Sequence, residues 1–182
     1  MQSALEEPSG LAARHRLVRL YDAVEATSST GATPDALRGI ANQGLFATHE
    51  LRQGVRARPD WKAACESSAG LLGLRSEPLI RKLGFTPESI GAHAVLLKAD
   101  GVKSRAVAVM LTERETFDGD SARFAVSPVA FGLKVAEQRE VSWLMVLRGS
   151  QLRLYPAKLN LGVGRKGLAE TYFEIDLAVA DV

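Results

Sequence analysis

Short apolar runs separated by turn signals fill residues 92–177, and this pattern is typical of a sheet. Two of the runs, Ala92–Ala99 and Arg105–Thr112, flank Asp100-Gly101, a strong hairpin signal. Three further strands are predicted, at Val141–Leu147, Gln151–Tyr155 and Thr171–Leu177. The sequence therefore predicts that this half of the chain is organised around strands that begin with a hairpin.

One helix is predicted between the hairpin and the later strands. Ser127-Pro128 begins it, with proline at a first-turn position where its missing N–H costs nothing, and the helix runs to Glu140. A polar loop, Glu113–Asp120, separates the hairpin from this helix. Because a single crossover helix joins the hairpin to the later strands, we expect an α/β fold with a mixed sheet.

The first 84 residues have helical rather than strand spacing. Short helices are predicted around Leu37 and Ile40, from Gly44 to Leu51, from Trp61 to Gly73, and from Ser76 to Leu83. We therefore expect a helical N-terminal segment, residues 1–84, packed on an α/β core, residues 85–182. The length of 182 residues suits one structural domain overall.

Composition excludes several classes of protein. Cys65 is the only cysteine, so neither an internal disulfide framework nor a cysteine-based zinc site is possible. The apolar runs fall far short of the roughly 20 residues that cross a bilayer, and the acidic N-terminus lacks a secretory apolar core. A cytoplasmic protein without a membrane partner is expected.

Three motifs could bind a cofactor or a metal, but the sequence around each gives only weak support for that role. Gly162-Val163-Gly164-Arg165-Lys166-Gly167 matches the dinucleotide pattern, but a predicted strand follows it where a helix is needed. The histidines at 15, 49 and 93 lack metal-ligand spacing, and the four carboxylates at 113, 115, 118 and 120 are expected to form a polar loop, with divalent-metal binding as the alternative. No cofactor and no metal are predicted.

Positive charge is concentrated in residues 141–169, where five basic residues occur without an acidic one. Arginine and lysine on turns neutralise phosphates and release counterions, which gives sequence-independent affinity for nucleic acid. The candidate phosphate contacts are Arg148, Arg153, Arg165 and Lys166. The alternative is a solvated edge that keeps the sheet from aggregating.

The later strands resemble a known family. The stretch Trp143–Tyr155, with its Arg148-Gly149-Ser150 turn and Leu152-Arg153-Leu154-Tyr155 strand, looks like a recurring piece of large restriction–modification proteins. Downstream, Glu170–Leu177 resembles the strand that follows there. Gly44-Leu45-Phe46 and Pro59-Asp60-Trp61 are similar to the opening of the same region. The family is the type IIG restriction–modification enzymes and related phage-defence adenine methyltransferases.

This resemblance implies a restriction-endonuclease-like core, as in the PD-(D/E)xK nucleases, and DNA as the partner. Such nucleases need an acid on one strand and an acid-x-lysine on the next, so that carboxylates hold Mg²⁺ beside a lysine. The predicted strand Arg105–Thr112 has neither, and the only acid-x-lysine of the chain, Asp60-Trp61-Lys62, lies at a predicted helix start. A complete nuclease site is therefore not expected.

The likeness ends where the methyltransferase of those proteins begins, and no Asn-Pro-Pro-Tyr-type motif occurs. A fragment, a truncated gene product and a separate subunit remain alternatives. We expect a catalytically degenerate nuclease-like domain that gives DNA contact or scaffolding in a restriction–modification or phage-defence system. The alternatives are a docking module for a methyltransferase subunit and a Mg²⁺-dependent endonuclease that uses Glu113–Asp120.

Overall fold

A seven-stranded sheet with a helix on each face forms the centre of the computed structural model. The structure describes residues 39–49, 51, 59–60, 63, 66, 68–159, 161 and 167–180, all within one unit, Leu37–Val182. The strands are β1 (Ile40–Gln43), β2 (Phe85–Ser89), β3 (Ala94–Ala99), β4 (Lys103–Leu111), β5 (Trp143–Arg148), β6 (Gln151–Pro156) and β7 (Tyr172–Asp176), in the order β1-β7-β6-β5-β4-β3-β2. The helices are α1 (Ser76–Lys82) and α2 (Pro128–Gln138).

The sheet is mixed, as predicted. β4 and β5 run parallel, and the other neighbouring strands pair antiparallel. The parallel pair is joined by α2, because parallel neighbours need a crossover connection. The α/β class, the hairpin around Asp100-Gly101 and the crossover helix are therefore confirmed.

Helix α2 begins where the sequence predicts. The Ser127 hydroxyl accepts a hydrogen bond from the N–H of Ala130 at 3.2 Å, and Pro128 occupies the first turn. Gly132 lets the helix approach β5 closely, since a Cβ added there would lie 2.5 Å from Leu144 Cδ1. On this side, called here the α2 face, the buried core comprises Ala94, Leu96, Val107, Val109, Phe117, Phe124, Val129, Ala136, Val141, Leu144, Val146, Tyr155 and Ala157.

Helix α1 covers a second core on the opposite face. Leu79 and Ile80 supply its buried side chains, and they pack against alternate residues of β3 to β6, namely Leu97, Ala106, Ala108, Met145, Leu147 and Leu152. The central strands β4 and β5 are thus buried on both faces, which explains their nearly continuous apolar sequences.

Two strands depart from the sequence-based expectation. The predicted helix around Ile40 is wrong, because Ile40 lies in β1, which pairs with β7 from Ile40↔Ile175 to Gln43↔Tyr172. Such pairing with a distant segment overrides local helical spacing. The other is β2, for which no strand was predicted. It contains Pro87, which is tolerated because β2 is an edge strand.

The parallel strands β4 and β5 define an upper and a lower edge of the sheet. At the upper edge β4 and β5 end, at Leu111 and Arg148, and at the lower edge they begin, at Lys103 and Trp143.

No helix in the described part of the chain is long and apolar enough to cross a membrane.

Candidate nucleic-acid interface

The structure distributes the four predicted phosphate contacts over separate places. Arg148 ends β5 at the upper edge, whereas β6 ends at the lower edge, where Pro156 pairs with Trp143. Arg165 and Lys166 lie outside the described residues, in the connection between the lower ends of β6 and β7. A six-residue strand spans about 20 Å, so Arg148 and the start of that connection are about one strand length apart.

The Arg148 side chain makes one hydrogen bond with the described residues and is partly exposed. Its Nη2 donates to the main-chain oxygen of Glu113 at 2.9 Å, which ties the upper end of β5 to the loop after β4. The side chain is half-buried. Its remaining guanidinium N–H groups make no hydrogen bond with the described residues and are available to an anion at this edge.

Arg153 lies in the middle of β6, on the α2 face, and is surrounded by its own protein. Its Nε donates to Glu174 on β7, directly opposite in the antiparallel register. Its Nη1 donates to Asp118 Oδ2 at 3.0 Å and to the hydroxyl of the fully buried Tyr155 at 3.3 Å. The side chain is 16% exposed, so most of its hydrogen-bonding capacity is directed inward.

Two aromatic rings enclose the same guanidinium. Its carbon lies 4.0 Å from the ring centre of Phe117 and 4.4 Å from that of Tyr172, within the range of cation–π attraction. Burial alone would lower the pKa of Arg153, but the hydrogen bonds to Tyr155 and Glu174 outweigh it and raise that pKa. For the Tyr155 hydroxyl, whose charged form is the anion, burial raises the pKa. Arg153 is therefore a permanent cation and Tyr155 a neutral phenol at any physiological pH.

The two carboxylates on Arg153 differ in exposure. Glu174 is 17% exposed and Asp118 is 65% exposed. Beside them a shallow open cavity of about 400 Å³ is lined by Gln43, Asp118, Ala169, Glu170 and Tyr172. The carboxylates of Asp118 and Glu170 in its wall oppose the entry of a phosphate group. The arrangement is suited to holding β6, β7 and the loop after β4 together, and it leaves Arg153 little capacity for an added anion.

The carboxylates between Glu113 and Asp120 have different partners and do not converge on one point. Glu115 accepts hydrogen bonds from the N–H and hydroxyl of Thr112 and from the hydroxyl of Ser121, and it pairs with Arg123 at 3.1 Å. Asp118 pairs with Arg153 instead. No group of three or more metal-ligating side chains occurs in the portion of the chain that the structure describes.

The two strands of the β3–β4 hairpin, on which the sequence resemblance would put a nuclease site, contain no acids. Neither β3, Ala-Val-Leu-Leu-Lys-Ala, nor β4, Lys-Ser-Arg-Ala-Val-Ala-Val-Met-Leu, contains a carboxylate. In the chain's only acid-x-lysine, Asp60 is exposed outside the sheet, and Trp61 and Lys62 lie outside the described residues. The acids that flank these strands along the chain are Asp100 in the turn and the carboxylates of the loop after β4, of which Glu115 and Asp118 have the partners given above.

The parts of the other motifs that the structure describes have no chemical role there. His93 packs edge-on against Phe124 at 5.4 Å between ring centres, His49 is exposed, and His15 and Cys65 lie outside the described residues. The glycine-rich stretch is followed by a short 3₁₀ helix, Leu168–Glu170, and then by β7. The predicted strand after those glycines is therefore confirmed. A dinucleotide-binding site would need a helix in that place.

Comparison of the chain with protein-family models, with curated proteins and with solved structures gave no match.

Proposed function

We propose that this chain is a catalytically degenerate nuclease-like domain that contacts DNA, or supports a partner that does, in a restriction–modification or phage-defence system. The observation that carries the proposal is the order α1-β2-β3-β4-α2-β5, with β4 and β5 parallel and one helix on each face. This order supports the restriction-endonuclease-like core that the sequence resemblance implies. The helical character expected of residues 1–84 is part of the same proposal only outside β1, which belongs to the sheet.

The lack of carboxylates on β3 and β4 supports the loss of catalysis. A metal-dependent nuclease needs carboxylates that hold Mg²⁺ and polarise the scissile phosphate. Without them the fold retains a scaffold on which basic side chains reach a phosphate backbone. The proposed site of action, beside DNA, places the protein in the cytoplasm.

The structure supports different roles for the four predicted cations. Arg148 has guanidinium N–H groups at the upper edge that no described residue accepts from, and it remains a proposed phosphate contact, as do Arg165 and Lys166 from the sequence. Arg153 is better explained as a positioning residue, because both of its carboxylate partners and two aromatic rings already surround it.

The proposal is tested by duplex binding in a fluorescence-anisotropy titration at low salt, with the full chain. Wild-type protein should bind, and Arg148→Ala and Arg165→Ala/Lys166→Ala should each weaken binding, because every phosphate contact contributes counterion release. Lys134→Ala is the control, since Lys134 is exposed on α2 and has no ion pair with any residue that the structure describes.

Two results would replace the proposal by one of its alternatives. A salt-insensitive complex with a methyltransferase subunit, formed by a chain that does not bind duplex, would identify a docking module. Mg²⁺-dependent nicking of supercoiled plasmid, abolished in Glu113→Ala and Glu115→Ala, would identify an active endonuclease. The proposed function predicts that the plasmid stays intact.

A further inference from the structure

The β3–β4 hairpin extends beyond the parallel part of the sheet. β3 and β4 pair as far as Ala99↔Lys103, whereas β5 first pairs with β4 at Ala106↔Trp143. Lys103, Ser104 and Arg105 therefore precede the part of β4 that β5 supports. At about 3.3 Å per residue, this overhang is about 10 Å long at the lower edge.

A β-bulge places Arg105 at the base of the overhang. The register passes from Leu97↔Ala106 to Lys98↔Ser104, so Arg105 is the extra residue on the β4 side. Bulges interrupt the ladder and redirect a side chain, and they recur beside functional sites. Arg105 is accordingly exposed, although its neighbour Ala106 is buried in the core.

Both cations of the overhang are free of ion pairs with the described residues. Lys103 and Arg105 are exposed and take part in none of the salt bridges that the structure shows there. Lys98, on the opposing strand, differs because it pairs with Glu88 on β2. The acid of the hairpin is Asp100 in the turn, and the tip residue Val102 is 82% exposed.

We infer that the β3–β4 hairpin, through Lys103 and Arg105, is an arm that contacts the phosphate backbone of duplex DNA. The inference rests on the proposed function and adds a contact at the lower edge, the side on which the connection carrying Arg165 and Lys166 also starts. Unpaired cations held on paired strands lose little conformational entropy when they meet a phosphate, and a two-stranded ribbon fits a major groove. Two cations are too few for a membrane surface, which is typically recognised by four to eight.

The same hairpin provides tests in both directions. Lys103→Ala/Arg105→Ala should weaken duplex binding about tenfold or more at low salt, because two phosphate contacts are lost. Asp100→Asn should strengthen binding a few-fold, because it removes the one repelling charge. Asp100 has a φ of 53°, a conformation that asparagine adopts readily, and Asn-Gly is a favoured hairpin turn, so this variant keeps the fold.

Lys134→Glu is the matched control. It changes the net charge by two, as Lys103→Ala/Arg105→Ala does, but on the exposed side of α2. We expect its binding to stay within about threefold of wild type, since only a phosphate contact contributes a full counterion. Lys103→Gln/Arg105→Gln serves as the second hairpin variant if the alanine pair unfolds, which circular dichroism would show.

The outcomes separate the inference from the proposed function. Wild-type affinity in the hairpin variants, together with weaker binding of Arg165→Ala/Lys166→Ala, would overturn the inference and leave the proposed function standing. An equal loss in Lys134→Glu would also overturn it, because only total charge would then matter. If the wild-type chain does not bind duplex at low salt, the DNA-contacting role in the proposed function fails, and the inference fails with it.

Discussion

Two arginines of neighbouring sheet regions, Arg153 and Arg105, have opposite surroundings. Arg153 stands across the antiparallel register from Glu174, with Asp118 and two aromatic rings around it. Arg105 is the unpaired residue of a bulge and is exposed. The register partner on the neighbouring strand, more than the neighbours along the chain, decides whether a cation forms an ion pair within the protein or can bind a ligand.

Arg153 belongs to a row of side chains that crosses the sheet, and the part of this row on β4 and β5 is apolar. Val109, Val146, Arg153, Glu174 and Ala41 are successive register partners across β4, β5, β6, β7 and β1. Its apolar half belongs to the core that packs with α2. In the polar half Arg153 and Glu174 compensate each other, because a mostly buried charge is tolerated only with a partner.

The largest expected effect comes from breaking this pair on one side. Arg153→Met keeps much of the side-chain volume but leaves Glu174, 17% exposed, without its cation. We expect a loss of about 2–3 kcal/mol in the free energy of unfolding, at the lower end for removing one partner of a buried pair. Urea denaturation measures it, and a loss below about 0.5 kcal/mol would show that solvent already compensates Glu174.

Removing both charges sharpens the comparison. Arg153→Met/Glu174→Leu extends the apolar row through β6 and β7, so it should recover more than half of the stability lost in Arg153→Met. Urea denaturation of the two variants side by side measures the recovery. If the double variant is no more stable than Arg153→Met, Arg153 stabilises the fold mainly through Tyr155, Asp118 and the rings.

A smaller effect, with a defined pH dependence, is expected at Glu115. Burial alone would raise the pKa of this carboxyl, but hydrogen bonds from Thr112 and Ser121 and the charge of Arg123 bring that pKa below its ordinary value of 4.5. Because the folded pKa is depressed, the contribution is fully present above pH 4.5 and is lost as the pH falls through the folded pKa. Glu115→Gln should therefore cost about 1–2 kcal/mol near neutral pH.

The control for this prediction is the free energy of unfolding of the same two proteins at acidic pH. The difference in unfolding free energy between wild type and Glu115→Gln should shrink as the pH falls below 4.5. A difference that is constant from neutral pH to pH 3 would contradict it, because the charge of Glu115 would then contribute nothing.

The smallest effect is expected at the outer carboxylate of Arg153. Asp118 is 65% exposed, so its ion pair is screened by water and salt, and Asp118→Asn should cost no more than about 0.5–1 kcal/mol. Thermal denaturation checks this, with a shift of a few degrees at most for a chain of this size. A larger shift would show that Asp118 also anchors the loop after β4.

The strands of the centre and the helix α2 could be predicted because their signals are local. Asp100-Gly101 sets the hairpin, and Ser127-Pro128 starts the helix. β1 could not be predicted, because its residues become a strand only through pairing with β7. For the same reason the acid-free run 141–169 does not show that Arg153 has carboxylate partners, since Glu174 and Asp118 lie outside that run.

The hairpin cations were the opposite case. Lys103 and Arg105 follow Asp100 closely in the sequence, so charge counting along the chain gives them no prominence. The only local signal was a basic residue on each side of Ser104, next to a hairpin turn. The bulge that frees Arg105 becomes visible only in the register.

The division of cations into committed and free ones is tested most directly by the salt dependence of duplex binding. The slope of log K against log salt should be the same for wild type and for Arg153→Met/Glu174→Leu, and about two smaller in magnitude for Lys103→Ala/Arg105→Ala. A slope that falls by about one in the Arg153 variant and is unchanged in the hairpin variant would contradict the account, because Arg153 would then be the phosphate contact.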